Sequence, residues 1–406
     1  MGISALVVVM GLPAVAASGY LGVLGCFARP ARHDSDKPQE PPSRLPHFTF
    51  VVPAHNEALG ITRTVKSLLS VDYPGDRFSV LVIADNCTDS TKEQAELAGA
   101  RVLERNDESK RGKGYALESA FEMLVAAGDS DALVVVDADT DVSSNLLRAM
   151  AARLNAGELA MQAHYGVRNI DESWRTQLMD FAFTLYHGVR SNARERLRLS
   201  AGLRGNGMGF ALDTLRRVPH RSYSLVEDVE YGIQLGLQGI RVAYVGEAEV
   251  RGEMVAGRKG SESQRRRWEQ GRQRLIGQYV PTLLRRAVCE RSGLLLDLAL
   301  DILTPPLSNI VGYTVLGSAG AAAIVITGLG QPATLIPWSL ALAGLAIYVG
   351  SGVRMSSSGS QAFVSLLHAP KYALWKMALR RSSSEARNNE WVRTTRAREN
   401  SGESQT

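Results

Sequence analysis

The feature that most constrains the fold is a run of four apolar residues, Leu133 to Val136, which leads into Asp137 and Asp139. A continuous apolar run of this length predicts a strand that is buried on both faces of a parallel sheet. In open α/β sheets, ligands bind beyond the carboxyl ends of the strands, so we expect both carboxylates at the mouth of a crevice. Two carboxylates in that position suit Mg²⁺ that carries a diphosphate, because this ion binds one or two carboxylates together with phosphate oxygens.

Strand and helix patterns alternate on the amino-terminal side of this run. The strand patterns cover residues 47–53, 78–83 and 101–103, and the helical patterns cover 61–69, 91–98 and 115–126. This alternation predicts an α/β fold with a parallel, doubly wound sheet. Three of the strands end in polar loops, which contain Asn56 and Glu57, Asp85 and Asn86, and Asp137 and Asp139. Because the carboxyl ends of parallel strands meet at one edge, we expect the three loops to form one site.

Two further segments carry candidate functional residues with a structural alternative. Lys113 lies in the basic turn Arg111-Gly112-Lys113-Gly114, which lacks P-loop spacing but suits a lysine that contacts a phosphate. A solvated turn is the alternative. Glu227 and Asp228 begin a helical pattern, where negative charge is favourable for structural reasons alone. The functional interpretation makes one of them a general base, which requires reach to an incoming hydroxyl.

Glycines and arginines mark two more segments. Residues 205–210, Gly-Asn-Gly-Met-Gly-Phe, allow close approach of two backbone elements or of a ligand. Residues 264–268, Gln-Arg-Arg-Arg-Trp, combine guanidinium groups, which suit a diphosphate, with an indole that suits a sugar ring. The alternative is a basic helix on lipid headgroups, and it remains open for Arg265 and Arg266 even where Arg267 is catalytic.

The composition argues against a nucleic-acid partner. The chain carries 46 basic and 41 acidic residues, a net charge of +5, which is too mixed for a nucleic-acid-binding surface. Its three cysteines, Cys26, Cys87 and Cys289, are too few and too scattered for a disulfide framework or a zinc site. This cysteine usage fits a reducing compartment.

Two uncharged stretches predict membrane-spanning helices. Residues 3–27 suffice for one crossing, and residues 302–353 suffice for two, near 307–329 and 335–353. A cleaved signal is the alternative for the first stretch, but the chain start lacks the basic residues that a signal needs. Arg29 and Arg32 follow the first stretch and Arg354 follows the second, so the positive-inside rule places the intervening domain in the cytoplasm.

These patterns divide the chain into six parts. We expect a transmembrane helix over 1–28, a linker over 29–46, a cytoplasmic catalytic domain over 47–280, an interfacial helix over 281–306, two transmembrane helices over 307–354, and a cytoplasmic amphipathic helix with a polar tail over 355–406. The topology predicts a multi-pass protein of the inner (plasma) membrane.

The motifs follow the order and approximate spacing of family 2 glycosyltransferases. They are residues 51–57, Asp85, Asp137-x-Asp139, Glu227-Asp228 and Gln264-x-x-Arg267-Trp268. Over residues 47–280 the chain resembles the membrane-bound branch of that family, which includes cellulose, chitin, hyaluronan and poly-N-acetylglucosamine synthases. The resemblance implies a GT-A fold, a nucleotide-sugar donor of the UDP type and inversion at the anomeric carbon.

The resemblance also implies a role for each motif residue. The residues implied to bind the nucleotide sugar are Ala54, Glu57, Asp85, Lys113 and Asp137, with Asp85 on the uracil and the last two on the diphosphate. Asp139 is implied to ligate Mg²⁺ or Mn²⁺, Asp228 to take the proton of the acceptor hydroxyl, and Arg267 to steady the leaving diphosphate. The residues implied to bind the acceptor are Gly207, Glu227, Gln264 and Trp268. A diphosphate leaves readily only when its developing charge is neutralised, which agrees with these residue types.

The sequence departs from the family pattern at two positions. Asn86 stands where a second Asp usually follows Asp85, which removes a charge near the nucleotide and weakens the inference about the base. Val226 stands where the polymer synthases often have Thr, and this change concerns helix entry more than chemistry.

Three functions stay open at this stage. The first is extension of a membrane-associated polysaccharide or glycolipid, with membrane lipid, and for secretion a partner protein or a homo-oligomer, as further partners. The second is transfer of one sugar to a polyprenyl phosphate or another lipid acceptor. The third is an inactive scaffold of a polysaccharide secretion complex, and it is disfavoured because Asp85, Asp137, Asp139, Asp228 and Arg267 are all retained.

Overall fold

The computed structural model describes residues 2–30, 44–254 and 258–356, and from 258 to 267 it describes the backbone only. Most of the linker expected over 29–46 lies outside these ranges. The amphipathic helix and polar tail expected over 355–406 also lie outside them, apart from residues 355 and 356.

One eight-stranded sheet forms the centre of the domain. Its strands are β1 Phe48–Ala54, β2 Phe78–Asp85, β3 Arg101–Arg105, β4 Ala132–Val135, β5 Thr140–Val142, β6 Ala160–Val167, β7 Met208–Ala211 and β8 Val242–Gly252. The strand order is β3-β2-β1-β4-β7-β6-β8-β5, and the first four strands in this order are parallel to one another. The predicted α/β class and the parallel pairing of these four strands are confirmed.

The other half of the sheet departs from the expected parallel arrangement. β7 is antiparallel to both β4 and β6, and β5 is antiparallel to β8, so the sheet is mixed. β7 forms from the end of the glycine-rich segment 205–210. Gly209 lies opposite Val134 of β4, and a Cβ there would be only 3.0 Å from the Met150 sulfur. The spacing of glycines indicated close approach but not the direction of the strand.

Helices cover both faces of the sheet. They are α2 Ile61–Leu69, α3 Thr91–Leu97, α4 Lys113–Ala127, α5 Leu146–Asn155, α8 Leu212–Arg217 and α9 Glu227–Leu237. Side chains alternate along β1: Phe50 packs with Ile61 and Leu68 on one face, whereas Val51 packs with Leu117 on the other. This alternation fixes the register, and it directs the carboxyl ends of β1, β2 and β4 to one edge.

Three helices in the described residues are long and apolar enough to cross a membrane. They are α1 Gly2–Phe27, α12 Leu307–Ile326 and α13 Ile336–Met355, the last preceded by a short turn that begins at Pro332. α1 and α13 pack closely through small residues, because a Cβ at Gly22 would lie 3.0 Å from the Gly344 Cα. These bounds agree with the apolar stretches of the sequence to within a few residues.

Two groups of helices connect the sheet to these three helices. α6 Trp174–Phe183, a π-helical turn Thr184–Val189 and α7 Arg190–Arg196 form one continuous segment, which we call the α6–α7 segment. It packs on α1 and α13, where the Tyr348 hydroxyl donates to the Leu185 carbonyl over 2.7 Å. The second group is α10 Arg258–Cys289 and α11 Gly293–Leu303. The domain boundary expected at residue 280 therefore lies inside a helix.

Candidate active site

Asp85 is a fully buried carboxylate at the end of β2. Arg105 Nη1 donates to Asp85 Oδ1 over 2.6 Å, and His55 Nδ1 donates to the Asp85 carbonyl over 2.8 Å. Oδ2 of Asp85 has no hydrogen-bond partner among the described residues. Because an unpaired buried acceptor is costly, this oxygen is suited to receive an N–H group of a ligand.

Asn86 keeps this arrangement in place. Its φ of +50° lies in the left-handed region, which Asn adopts more readily than most residues. Its Nδ2 donates to Asp85 Oδ1 over 3.1 Å, and its Oδ1 accepts from the Asp107 backbone N–H over 2.8 Å. An aspartate has no amide to donate to Asp85, so the departure from the family pattern provides a bond that the usual residue lacks.

The loop after β1 lies beside the loop after β2. Ala54 is the buried last residue of β1 and is paired with Ala84, the neighbour of Asp85. The Glu57 backbone N–H donates to Thr91 Oγ1 over 2.7 Å, which ties the first loop to the start of α3. Ala54 and Glu57 therefore lie at the same edge of the sheet as Asp85.

Lys113 is the centre of the site. As the first residue of α4, it places Nζ 2.5 Å from Asp137 Oδ1, 2.6 Å from the Gly205 carbonyl and 3.9 Å from Glu227 Oε1. Burial lowers the pKa of Lys113, but Asp137 and Glu227 outweigh that effect and raise it. The solvated turn considered for this lysine does not form, because its side chain is largely enclosed. One ammonium thus joins three segments that are far apart in the sequence.

Asp137 and Asp139 lie on the loop between β4 and β5. Asn206 holds this loop, since its Oδ1 accepts from the Asp137 N–H over 3.2 Å and its Nδ2 donates to Thr140 Oγ1 over 2.8 Å. Arg168 Nη1 donates to the Asp139 carbonyl over 3.0 Å. The two side chains therefore project from a loop that is fixed at both ends.

The ligand chemistry of this loop fits a hard divalent cation. Carboxylate oxygens are what Mg²⁺ and Mn²⁺ prefer, and Mg²⁺ commonly takes only one or two of them together with phosphate oxygens and water. Within the described side chains there is no group of three or more His, Cys, Asp or Glu that would hold a metal alone. The protein part of such a site would be Asp139, with Asp137 beside it.

The three carboxylates at the start of α9 have different surroundings. Glu230 is bonded within the protein, because its Oε1 accepts from the Tyr279 hydroxyl over 3.0 Å. Burial raises the pKa of both Glu227 and Asp228. A Cβ at Gly205 would lie 3.4 Å from Asp228 Oδ2, so this carboxylate lies close to the loop that contacts Lys113. Asp228 therefore combines a raised pKa with proximity to Lys113, two features that a general base requires.

Gly207 is placed by the sheet. With φ at +71°, its N–H donates to the Val135 carbonyl over 2.9 Å, and a Cβ would lie 2.8 Å from Val250 Cγ2 and 3.1 Å from Ala163 Cβ. The structure thus explains this glycine by backbone conformation and by contact with β6 and β8.

α10 reaches the start of α9. A Cβ at Gly271 would lie 2.8 Å from Val226 Cγ2, so the apolar residue that replaces the usual Thr packs against this helix. Trp268, one turn earlier, is 37% exposed. The side chains of Gln264 and Arg267 lie outside the described residues, and only their backbone, within α10, is described.

Three polar residues of the site were missed by the sequence analysis. Asn206 had a signal, because it lies within the glycine-rich segment. Arg105 lies two residues beyond the strand predicted over 101–103, which the structure extends to Arg105. Arg168 had none, since it follows β6, a strand that was not predicted.

The fold and the site together define a glycosyltransferase with a GT-A-like fold. The family described as glycosyltransferase-like family 2 matches residues 46–271, more than half of the chain, and the protein belongs to that family. The predicted fold class and enzyme class are thereby confirmed.

Named relatives and a solved structure are similar to this chain. A beta-monoglucosyldiacylglycerol synthase of Nostoc sp. is 29% identical over 207 residues, which cover 49% of this chain and 42% of the relative. The enzyme of the same name from Synechocystis sp. is 28% identical over 239 residues, which cover 56% and 48%. The chain thus spans less than half the length of either relative. A mannosyltransferase of Pyrobaculum calidifontis, solved with GDP-Man and Mn²⁺, shares the fold with a TM-score of 0.52 and 18% identity, over 91% of this chain and 99% of that one.

Proposed function

We propose that the protein transfers a sugar, with inversion and with the help of Mg²⁺ or Mn²⁺, from a UDP-sugar to a hydroxyl group of a membrane lipid or glycolipid. The observation that carries the proposal is the position of Lys113, which contacts Asp137 and the Gly205 carbonyl and lies close to Glu227 and Asp228. The motifs proposed to bind the nucleotide and those proposed to bind the acceptor therefore meet at the ammonium group of Lys113.

The donor half of the site is formed by the loops after the parallel strands. Asp85 Oδ2 accepts the N–H of the uracil ring, and Ala54 and Glu57 line the same edge. Lys113 and Asp137 line the diphosphate, and Asp139 would hold the divalent ion. When bound, this ion supplies a positive charge that stabilises the departing diphosphate.

The transfer step uses one base. The acceptor oxygen attacks the anomeric carbon from the face opposite the diphosphate, the bond to the diphosphate oxygen breaks with its electron pair, and Asp228 takes the hydroxyl proton. Lys113 and Arg267 stabilise the negative charge on the nucleoside diphosphate that leaves. Glu227, Gln264, Trp268 and the backbone at Gly207 shape the acceptor site.

The membrane supplies the acceptor. One crossing by α1, a cytoplasmic catalytic domain over 47–280, helices 281–306 at the interface and two crossings over 307–354 give a multi-pass protein of the inner (plasma) membrane. This topology leaves nucleotide sugars and the active site on the same side. A lipid acceptor is supported by the names of the relatives, which are glucosyldiacylglycerol synthases.

A second candidate is processive synthesis of a polysaccharide, as in the cellulose and chitin synthases. The Gln-x-x-Arg-Trp motif favours it. The three candidate spans among the described residues are few to line a polysaccharide channel, so this activity would need a secretion partner or an oligomer.

Membranes that contain the full-length protein, supplied in turn with radiolabelled UDP-sugars and Mg²⁺ or Mn²⁺, test both candidates. We expect one labelled lipid product of fixed size for at least one donor. A ladder of products on a gel would establish the polysaccharide activity instead. Absence of both transfer and UDP binding in the presence of Mg²⁺ or Mn²⁺ would favour the inactive scaffold.

A further inference from the structure

A group of arginines lies on the membrane side of the candidate base. We call it the arginine pocket and define it by Arg190 of α7, Arg204 in the loop before β7, Arg272 of α10 and Tyr186 of the π-helical turn. The guanidinium carbons of Arg204 and Arg190 lie 4.2 Å and 5.3 Å from the Tyr186 ring centre. Arg204 Nη1 also donates to the Tyr186 hydroxyl over 2.8 Å.

Only some of the buried arginines of this region have a carboxylate partner. Arg194 Nη1 lies 2.7 Å and Arg190 Nη2 lies 2.6 Å from Asp301 Oδ1, and Arg194 also pairs with Asp297. Burial opposes the charge on Arg194, but the two aspartates outweigh it and raise its pKa. This part of the cluster is neutralised.

Arg204 and Arg272 have neutral partners instead. Arg204 donates to the Tyr186 hydroxyl and, over 2.9 Å, to the Ala201 carbonyl, while Arg272 donates to the carbonyls of Ile302 and Thr304 over 2.8 Å. Neither forms a salt bridge within the described side chains, and burial lowers the pKa of Arg272. Glu269 also acts on the charge of Arg272, so four guanidinium groups face the three carboxylates Asp297, Asp301 and Glu269, a net charge of 4 − 3 = +1.

Two buried donor atoms of this pocket are suited to an anion. Arg204 is only 8% exposed, and its Nε and the Nε of Arg190 have no hydrogen-bond partner within the described part of the chain. A buried guanidinium group whose direct hydrogen-bond partners are neutral, as those of Arg204 are, is costly. A phosphate is the anion whose geometry an arginine pair fits best, because it accepts several charge-assisted hydrogen bonds at once.

The pocket lies between the membrane side and the base. Tyr186 is 38% exposed and belongs to the α6–α7 segment, which packs on α1 and α13. Trp268 is four residues before Arg272 and therefore on the same side of α10. On the inner side, Arg204 is followed directly by Gly205, which lies against Asp228, and the charge of Arg204 acts on that carboxyl.

We propose that Arg204 and Arg272, with Tyr186, bind a phosphate ester carried by the lipid acceptor, while a separate hydroxyl of that acceptor faces Asp228. The inference rests on the proposed transfer to a lipid and narrows its acceptor. The expected acceptors are phospholipids and lipid-linked sugar phosphates that carry a free hydroxyl, whereas neutral diacylglycerol is disfavoured as an acceptor.

The test measures lipid binding separately from catalysis. Full-length protein in a neutral detergent is titrated by native mass spectrometry with phosphatidic acid and with diacylglycerol of the same acyl chains. We expect phosphatidic acid to bind at least about tenfold more tightly, as charge-assisted hydrogen bonds imply. Equal retention of both lipids would overturn the proposal. Displacement of phosphatidic acid by an equal concentration of glycerol 3-phosphate would also overturn it, because the site would then serve a free phosphate.

Three variants make the test specific. Arg204→Gln and Arg272→Gln should each lower phosphatidic acid binding, and Arg272→Lys should restore part of it. Arg286→Gln is the matched control, because Arg286 is on the same helix and is paired with Glu290. UDP binding by each variant verifies that the protein is folded. Normal phosphatidic acid binding by both folded Gln variants would contradict the assignment. If phosphatidic acid binding depends on the arginines but no UDP-sugar is transferred, the proposed function fails and the binding site stands.

Discussion

The donor half and the membrane half of the site have opposite charge. Around Lys113 the three carboxylates Asp137, Glu227 and Asp228 leave a formal net charge of 1 − 3 = −2, whereas the arginine cluster on the membrane side carries 4 − 3 = +1. An acidic half suits a cation that carries a diphosphate, and a basic half suits an anionic lipid. On the proposed function, the donor half would hold its diphosphate through a bound cation, whereas the membrane half would hold an anionic lipid directly.

The largest expected effect on the transfer rate comes from Asp228, which lies where the donor half meets the membrane half. Asp228→Asn removes the proposed base and should lower the transfer rate by about 10²–10⁴-fold, the usual contribution of general base catalysis. UDP binding should be unchanged, because the donor half is intact. Initial rates with labelled donor measure this effect. Transfer at the normal rate would remove Asp228 as base.

Lys113 is the residue that tests the donor half of the site. Lys113→Met should lower the rate by about 10²–10³-fold, since a preorganised charge at the leaving diphosphate is lost. Lys92→Met is the control, because Lys92 forms an exposed pair with Glu104 and should leave the rate unchanged. Similar rates for both variants would show that Lys113 does not act on the diphosphate.

In the membrane half, we expect substitution of a buried arginine to lower the free energy of unfolding. Arg194 is fully buried, and Arg194→Met leaves Asp297 and Asp301 with less counter-charge, which should lower the free energy of unfolding by about 3–5 kcal/mol. Arg148→Met breaks the exposed pair with Asp72 and should have little effect. Denaturant titration in detergent compares them. Equal stability of the two variants would contradict the account of a buried network.

The smallest expected effect is a shift in the pH profile. The base form of Asp228 exists above its pKa and is lost as the pH falls through it. Because burial raises this pKa, the acid limb of activity should lie above the range of an ordinary aspartate. Arg204 lowers the pKa of Asp228, so Arg204→Gln should move the acid limb further up. If the acid limb of the pH–activity profile stays in place in Arg204→Gln, the charge of Arg204 has no influence on the pKa of Asp228.

The two halves also differ in how far the sequence predicts them. The donor half follows from local patterns, since α2 begins and ends as expected and the loops at Asp85 and Asp137 lie at one edge of the sheet. Those features depend on strand periodicity and on the rule for carboxyl ends of parallel strands.

The contacts of the membrane half could not be predicted from local sequence patterns. The four-residue spacing of Asp297 and Asp301 puts both on one helix face, but their partners Arg190 and Arg194 lie about a hundred residues earlier in the chain. Nothing in local spacing identifies such pairs, and the antiparallel β7 was missed for the same reason. Long-range contacts between short segments depend on the packed fold rather than on propensity.

The most direct test of the account is the fate of the labelled sugar when full-length protein in phospholipid vesicles receives UDP-sugar and Mn²⁺. The account predicts that label enters the organic phase as a lipid-linked sugar and that one UDP is released for each sugar transferred. Label that appears only as free sugar in water, or no UDP release with any UDP-sugar tested, would contradict it.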